Sequence, residues 1–318
     1  MSTPTELIHA MAERSMKKMR VAAVVPGGIL SYMTAAKRIK MEDGGPSIEN
    51  PLLVGGNPNV GPALYYDKVP VTRSSELDTV QYDMTRIVGT YVISDQEVDE
   101  NTGASKIVDI AAAKMQALEI AIKQYRRTKA AGTNSGNHPL GLGNLVPTTV
   151  TSGTIGGINL ALQTLFRPSV YDYSGSPLTS STIEATVDDI LLDMNNDEGK
   201  ITVIFAGRNM YKLFTAAARD KGTMQLSQTG FGTQLANLGL VGVTFQQIPV
   251  IYDEELDADL AYMINENEIM NHILKTANMK MKDLQAPYDQ DVIGKRFILE
   301  TQMCAWKQYR TNAVIKNA

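Results

Sequence analysis

Cysteine is almost absent. Cys304 is the only one in 318 residues, which excludes an internal disulfide and any thiolate metal cage. Histidine is nearly as scarce, and His9, His138 and His272 lie too far apart along the chain to suggest a metal site. No stretch of about 18 residues is both uncharged and apolar, so no helical membrane span is expected. Nor is a secretory signal expected, because Glu13, Arg14, Lys17 and Lys18 interrupt the segment from Met11 to Arg20. The product is expected to be cytosolic when made, or built into something assembled there. Excess positive charge is missing too. The 30 basic and 34 acidic side chains leave a net charge of −4, which argues against a chain-wide grip on nucleic acid.

The motifs of common enzymes are also missing. Gly199-Lys200 and Gly294-Lys295 run into Ile201 and Arg296, so no phosphate-binding Gly-Lys-Ser/Thr loop exists. Gly141-Leu142-Gly143 opens like a dinucleotide fingerprint, but Val146 stands where the third glycine belongs. Asp193, Asn195 and Asp197 imitate the start of a calcium loop, yet Glu198 replaces its glycine and Ile204 its bidentate glutamate. Ser15-Met16-Lys17-Lys18 fits S-x-x-K on an exposed terminal helix, where it is chance. His138 precedes a proline in a loop with no acid nearby and reads as a surface or packing histidine. No catalytic constellation and no cofactor or metal site is expected.

What is present is an ordinary globular balance, 43% apolar and 20% charged, in a chain long enough for one large domain or two modest ones. Charge is unevenly spread along it. Between Arg14 and Lys40 lie seven bases, Arg14, Lys17, Lys18, Arg20, Lys37, Arg38 and Lys40, and no acid. From Ser181 to Met270 fourteen acids face five bases. A basic arm and an acidic body in one chain suit contact between copies, or contact with a polyanion. Apolar Val21–Val25 and Ile29–Leu30 separate the arm's charges, which favours packing on protein over packing on DNA.

The order of elements is legible in outline. Thr3, Pro4 and Glu6 form a helix-start signature, with Leu7, Met11 and Met19 following near helical spacing. Some 35 residues punctuated by Gly and Pro then read as an irregular arm laid over another surface. Two β-like runs, Leu64 to Val71 and Thr79 to Ser94, joined by a polar tip near Arg73-Ser74-Ser75-Glu76, predict a long hairpin in need of a partner surface. Val108, Ala111, Met115, Leu118, Ile122 and Tyr125 form one apolar stripe of a long helix over 106–130. Asp109 near its start and Lys123, Arg126, Arg127 and Lys129 near its end match the helix dipole. After a Gly/Thr/Ser-rich loop region over 132–160 come a helix from Thr182 to Met194, a strand from Ile201 to Ala206 and a helix from Asn209 to Asp220. Further strands are expected at Val241–Phe245, Pro249–Tyr252, Leu260–Ile264 and Phe297–Cys304.

This order, with local sequence, resembles the major capsid proteins of tailed bacteriophages and their Hong Kong 97-like α+β fold. Gly143-Asn144-Leu145, the run Thr151-Ser152-Gly153-Thr154-Ile155-Gly156-Gly157-Ile158-Asn159 and Phe166-Arg167 are similar to a stretch of phage coat proteins. Ile201–Ala206 followed by Arg208-Asn209-Met210-Tyr211-Lys212-Leu213 resembles the family's strand-then-helix entry to its A-domain. Val250–Asp253, Tyr262-Met263-Ile264-Asn265 and Phe297 to Ala318 fit its C-terminal half. The resemblance implies an N-terminal arm over 1–62, an E-loop hairpin over 63–98 and a P-domain over 99–180 that holds the long spine helix. It further implies an A-domain over 181–275 and a returning segment over 276–318.

The function so implied is structural. Copies are expected to form hexamers and pentamers of an icosahedral virion shell, assembled in the host bacterial cytoplasm around double-stranded DNA held without sequence readout. Portal, scaffolding and decoration proteins are the other partners implied. The arm begins almost at residue 1, so scaffolding is expected from a separate protein or from a segment removed before this numbering. Expected assembly contacts are the seven arm bases with Lys68, Arg73 and Glu76. Lys68 is the only lysine of 63–98 and lies well before the tip, so it reads as a salt-bridging residue rather than as the family's crosslinking lysine. Two alternatives stay open: an encapsulin-type compartment of the same fold, and an unrelated α/β enzyme with a dimerising arm.

Overall fold

A computed structural model describes residues 28–53, 55, 59–62, 68, 71–73, 77–94, 96–97, 104–194, 200–220, 243–246, 248–284 and 292–317. The helix expected near Thr3 to Met19 lies outside them. In chain order the elements are α1 (Ile29–Ala35), β1 (Ile39–Glu42), β2 (Ser47–Leu53), β3 (Leu77–Asp83), β4 (Thr85–Ser94) and α2 (Ala104–Ala131). Then come α3 (Leu142–Leu145), β5 (Thr154–Ile155), β6 (Ile158–Asn159), β7 (Ser169–Asp172), α4 (Ile183–Met194), β8 (Val203–Ala206) and α5 (Arg208–Asp220). The last are β9 (Val243–Phe245), β10 (Ile248–Tyr252), β11 (Leu260–Ile264), β12 (Ile269–Leu274), β13 (Lys280–Asp283), β14 (Val292–Ala305) and β15 (Ala313–Lys316).

Two sheets organise the chain. The larger runs β7-β15-β11-β8-β10-β9 and is buried on both faces. Its strands alternate between two cores. Val203 and Phe205 of β8, with Tyr262 and Ile264 of β11, point into one, while Ile204, Ala206, Ala261 and Met263 point into the other. The second core is completed by Ile183, Val187 and Ile190 of α4 and by Met210 and Phe214 of α5. Gly207 makes the tight β8–α5 turn possible, because a Cβ there would stand 1.8 Å from the Asp257 carbonyl oxygen.

The smaller sheet runs β1-β12-β14-β13, with β4 antiparallel to β14 from Thr85↔Thr301 to Val292↔Ser94. The expected apolar stripe of α2 covers one face of it. Met115 and Ile122 are buried and Leu118 is partly buried, all against Tyr91, Ile93 and Phe297, while Tyr125 packs beside Ile87, Ile273 and Leu299. Gly89 lets the helix approach, since a Cβ there would meet Leu118 Cδ1 at 2.9 Å.

The Gly-rich stretch after α2 locks the end of that helix. Asn144 Oδ1 accepts the Asn134 N–H at 2.7 Å, and its Nδ2 donates to the Asn134 carbonyl at 2.8 Å. A Cβ on Gly141 would collide with the Gly132 carbonyl oxygen at 2.2 Å. The glycines that imitate a dinucleotide fingerprint are therefore packing glycines. Phe166 is fully buried, and Arg167 donates to the carbonyls of Leu160 and Ala161.

The expected hairpin needs correction. The run from Thr79 to Ser94 is two strands that break at Met84, and β4 belongs to the smaller sheet. The hairpin partner of β3 is β2, paired from Ser47↔Asp83 to Leu53↔Leu77, inside the segment read as irregular arm. The switch of partner shows in the burial only as a flip of phase, from even positions Val80 and Tyr82 to odd positions Ile87, Tyr91 and Ile93. The Gly and Pro residues that flank β2 hid a seven-residue strand. The run Leu64 to Val71 lies largely outside the described residues.

Candidate assembly surfaces

The β2–β3 hairpin has two unlike faces. Alternation sends Val80 and Tyr82 inward, where both are buried. The Tyr82 hydroxyl donates to the Ala305 carbonyl at 2.8 Å, and its ring meets Trp306 edge-on at 5.9 Å. Gly156, at φ +55, sits under this face. A side chain there would stand 2.3 Å from Val80 Cγ1, and its carbonyl accepts the Gln81 N–H at 2.9 Å. The Thr151–Asn159 motif thus forms the seat of the hairpin.

The opposite face carries Ser47, Glu49, Pro51 and Leu53 of β2 across from Asp83, Gln81, Thr79 and Leu77 of β3. Its far end is a bare apolar pair, with Leu53 68% and Leu77 71% exposed. Val60 and Val71, in the segment between the strands, are more exposed still. Apolar residues gathered on an otherwise polar projection mark an interaction surface.

Ion pairs and hydrogen bonds fasten the arm to its own body. Buried Asp253 accepts the Ile29 N–H at 2.9 Å at the start of α1, and burial pushes its carboxyl above the usual range. Glu266 accepts from the Tyr32 hydroxyl at 2.6 Å and pairs with Arg38 at 3.3 Å. β1 then lies parallel to β12. There the buried ring of His272 meets Glu42 through Nδ1 at 2.8 Å and packs edge-on against Trp306. Burial lowers the His272 pKa, and the bond from His272 is the largest cause lowering that of Glu42.

The expected contact residues are scattered by this geometry. Arg38 is engaged inside its own chain, where it also donates to Asn267 at 2.6 Å, so it is not free for a neighbour. Lys40 pairs with Glu42 at 3.1 Å but keeps most of its surface. Lys37 is exposed, in a left-handed backbone conformation at φ 57. Lys68 and Arg73 are exposed in the segment between β2 and β3. Arg14, Lys17, Lys18, Arg20 and Glu76 lie outside the described residues. Nothing in the sequence marked Leu53 and Leu77 as a surface pair, because their pairing depends on the β2–β3 register.

No family model and no curated protein matches the sequence. Solved structures do match. A chain of the cyanophage A-1(L) capsid is similar over 93% of both chains, at 15% identity and a TM-score of 0.65. This chain has the phage capsid fold. That fold, the Hong Kong 97-like one, mixes helix and sheet as expected. The capsid of an empty GTA particle is similar over 92% of both chains, at 11% identity and a TM-score of 0.57. The fold is shared with an encapsulin as well. The SrpI encapsulin of Synechococcus elongatus is similar over 92% of this chain and 90% of its own, at 8% identity and a TM-score of 0.53.

Proposed function

We propose that this chain is the major capsid protein of a tailed double-stranded DNA bacteriophage, self-assembling into the icosahedral head. The observation that carries the reading is the capsid fold, shared over nine-tenths of both chains with a phage capsid. The hairpin supports it, since it exposes a leucine pair that its own subunit leaves uncovered. Many modest contacts of this kind, repeated by symmetry, sum to a shell that no single contact could hold. The role is structural, with hexamers and pentamers of the chain as the first partners. Portal, scaffolding and decoration proteins and the packaged DNA belong to the same reading, and exposed Lys37, Lys40, Lys68 and Arg73 are its proposed contacts. The site of action is the virion, assembled in the host cytoplasm.

Electron microscopy of the purified protein tests this. Hexamers, pentamers or closed shells are expected, and a small closed oligomer with a filled pocket would favour the enzyme alternative. The likeness to an encapsulin supports a second reading, a compartment that encloses cargo enzymes. Neighbouring genes separate the two. A terminase or portal gene favours the phage, and a ferritin-like or peroxidase gene favours the compartment.

A further inference from the structure

Four cations crowd the C-terminal end of α2, and three of them are satisfied within the chain. Lys123 pairs with Glu119 one turn earlier. Arg127 pairs with Glu254 at 3.0 Å and lies 3.8 Å from Glu255. Lys129 stands over the ring of Tyr125, 5.9 Å from its centroid. Arg126 is the fourth. It is half-buried, and its side chain has no hydrogen-bond or ion-pair partner among the described residues. A cation withdrawn from water without a counter-charge is costly, and burial lowers the Arg126 pKa for that reason.

Arg126 lines a cavity where the arm, α2 and the smaller sheet meet. Leu30 of α1, Ile87 of β4 and Met303 of β14 belong to its apolar wall. The polar side chains that line it are those of Arg126, Asn271 and Thr301. Its volume is about 20 Å³, room for one water molecule or one small ion. The Thr301 hydroxyl donates to Asn271 Oδ1 at 2.8 Å, which leaves the amide Nδ2 as the group without an acceptor among the described residues. A guanidinium can only donate. The cavity wall thus presents two donor groups, one of them charged.

A water molecule in that space would accept hydrogen bonds but leave the charge unneutralised in largely apolar surroundings. A small anion answers both needs. We propose that the cavity between α1, α2 and the smaller sheet binds one monovalent anion of halide size, chloride in ordinary salt, held by the Arg126 guanidinium and the Asn271 amide. The ion would lie at a joint of the fold. Leu30 belongs to the arm, and Asn271 stands opposite Ile39 of β1 in the parallel β1–β12 pair. Arg126 belongs to the long helix. Filling the cavity therefore ties the arm to the helix and the sheet within one subunit, and the inference does not rest on the shell reading.

Thermal unfolding in sodium chloride and in sodium gluconate at equal concentration tests it, because gluconate matches the ionic strength and is too large to enter. The readout is the Tm in chloride minus the Tm in gluconate, compared between wild type and Arg126→Gln. Wild type is expected to gain about 2 °C more from saturating chloride than the variant does, and bromide should act as chloride does. Asn271→Asp supplies a fixed carboxylate on the cavity wall and should remove the same gain, so it serves if Arg126→Gln fails to fold. An equal chloride effect in wild type and Arg126→Gln would overturn the inference, since the effect would then be one of salt on the surface. A gain retained in full by Asn271→Asp would overturn it as well. No difference between the two salts in wild type would also overturn it and assign the cavity to water.

Discussion

The two sheets differ in what they leave for others. The six-stranded sheet is covered on both faces, with Phe205 turned to one core and Ile204 to the other, and a subunit completes it alone. The five-stranded sheet is covered by α2 on one face, while on the other the β4 and β13 side stays open and exposes Val88, Val92 and the cations Lys280, Lys282 and Arg296. Burial on both faces makes a body stable. Burial on one face makes a body that has a use for a neighbour.

Substitutions should separate these regions. The largest loss of subunit stability is expected from Phe205→Ala, about 3–5 kcal/mol, since the ring is buried and meets Tyr32 edge-on at 5.4 Å. Denaturant unfolding of the free subunit measures it, and a loss under about 1 kcal/mol would mean that this sheet is not the core. Ile122→Ala truncates one side chain of the α2 stripe in a smaller cluster and should cost about 2 kcal/mol by the same assay. Gly156→Ala places a side chain at φ +55 under Val80, and should cost roughly 1–3 kcal/mol and loosen the hairpin to proteolysis.

Acid should act on the arm more than on the larger sheet. His272 stays neutral more readily folded than unfolded, and Glu42 stays ionised more readily, so both give stability that is lost as pH falls. The histidine contribution begins to go below its ordinary value of 6.5 and the glutamate contribution below 4.5. Lys40 of β1 also faces the ring and opposes its protonation, so it adds to the same direction. β1 should therefore gain hydrogen exchange between about pH 6.5 and 4, and His272→Gln should flatten the upper part of that profile. Unchanged exchange of β1 over that range would show that this pair does not hold the arm. The smallest effect on the subunit is expected from Leu53→Ser with Leu77→Ser, within about 0.5 kcal/mol, although assembly should be severely reduced.

Much of the fold was legible where a segment's environment is uniform along its length. The α2 stripe keeps one face on one sheet, and β8 is a continuous apolar run ended by Gly207 before amphipathic α5, so these elements stand close to where the pattern put them. Segments that change environment were not legible. β3 and β4 read as one strand because apolar and β-branched residues continue across Met84, although the buried positions change from even in β3 (Val80, Tyr82) to odd in β4 (Ile87, Tyr91, Ile93). In β14, Gly294, Lys295 and Arg296 concealed the first half of a 14-residue strand. β1, β12, β13 and β15 are each six residues or fewer, too short for a periodic signal, and their burial comes from distant partners. The candidate surfaces divided in the same way. The basic character of the arm could be read directly, but the pairing of Arg38 with Glu266 joins residues 228 positions apart. The cationic row exists only once β13 and β14 are in register.

Hydrogen exchange measured on the free subunit and on assembled particles, peptide by peptide, tests the contrast between the two sheets most directly. Peptides covering β8, β10 and β11 should be equally protected in both states, while those covering β2, β3 and the edge strand β4 should slow markedly on assembly. Equal protection of the hairpin and β4 in both states would contradict the claim that the half-covered sheet and its hairpin are completed by another copy.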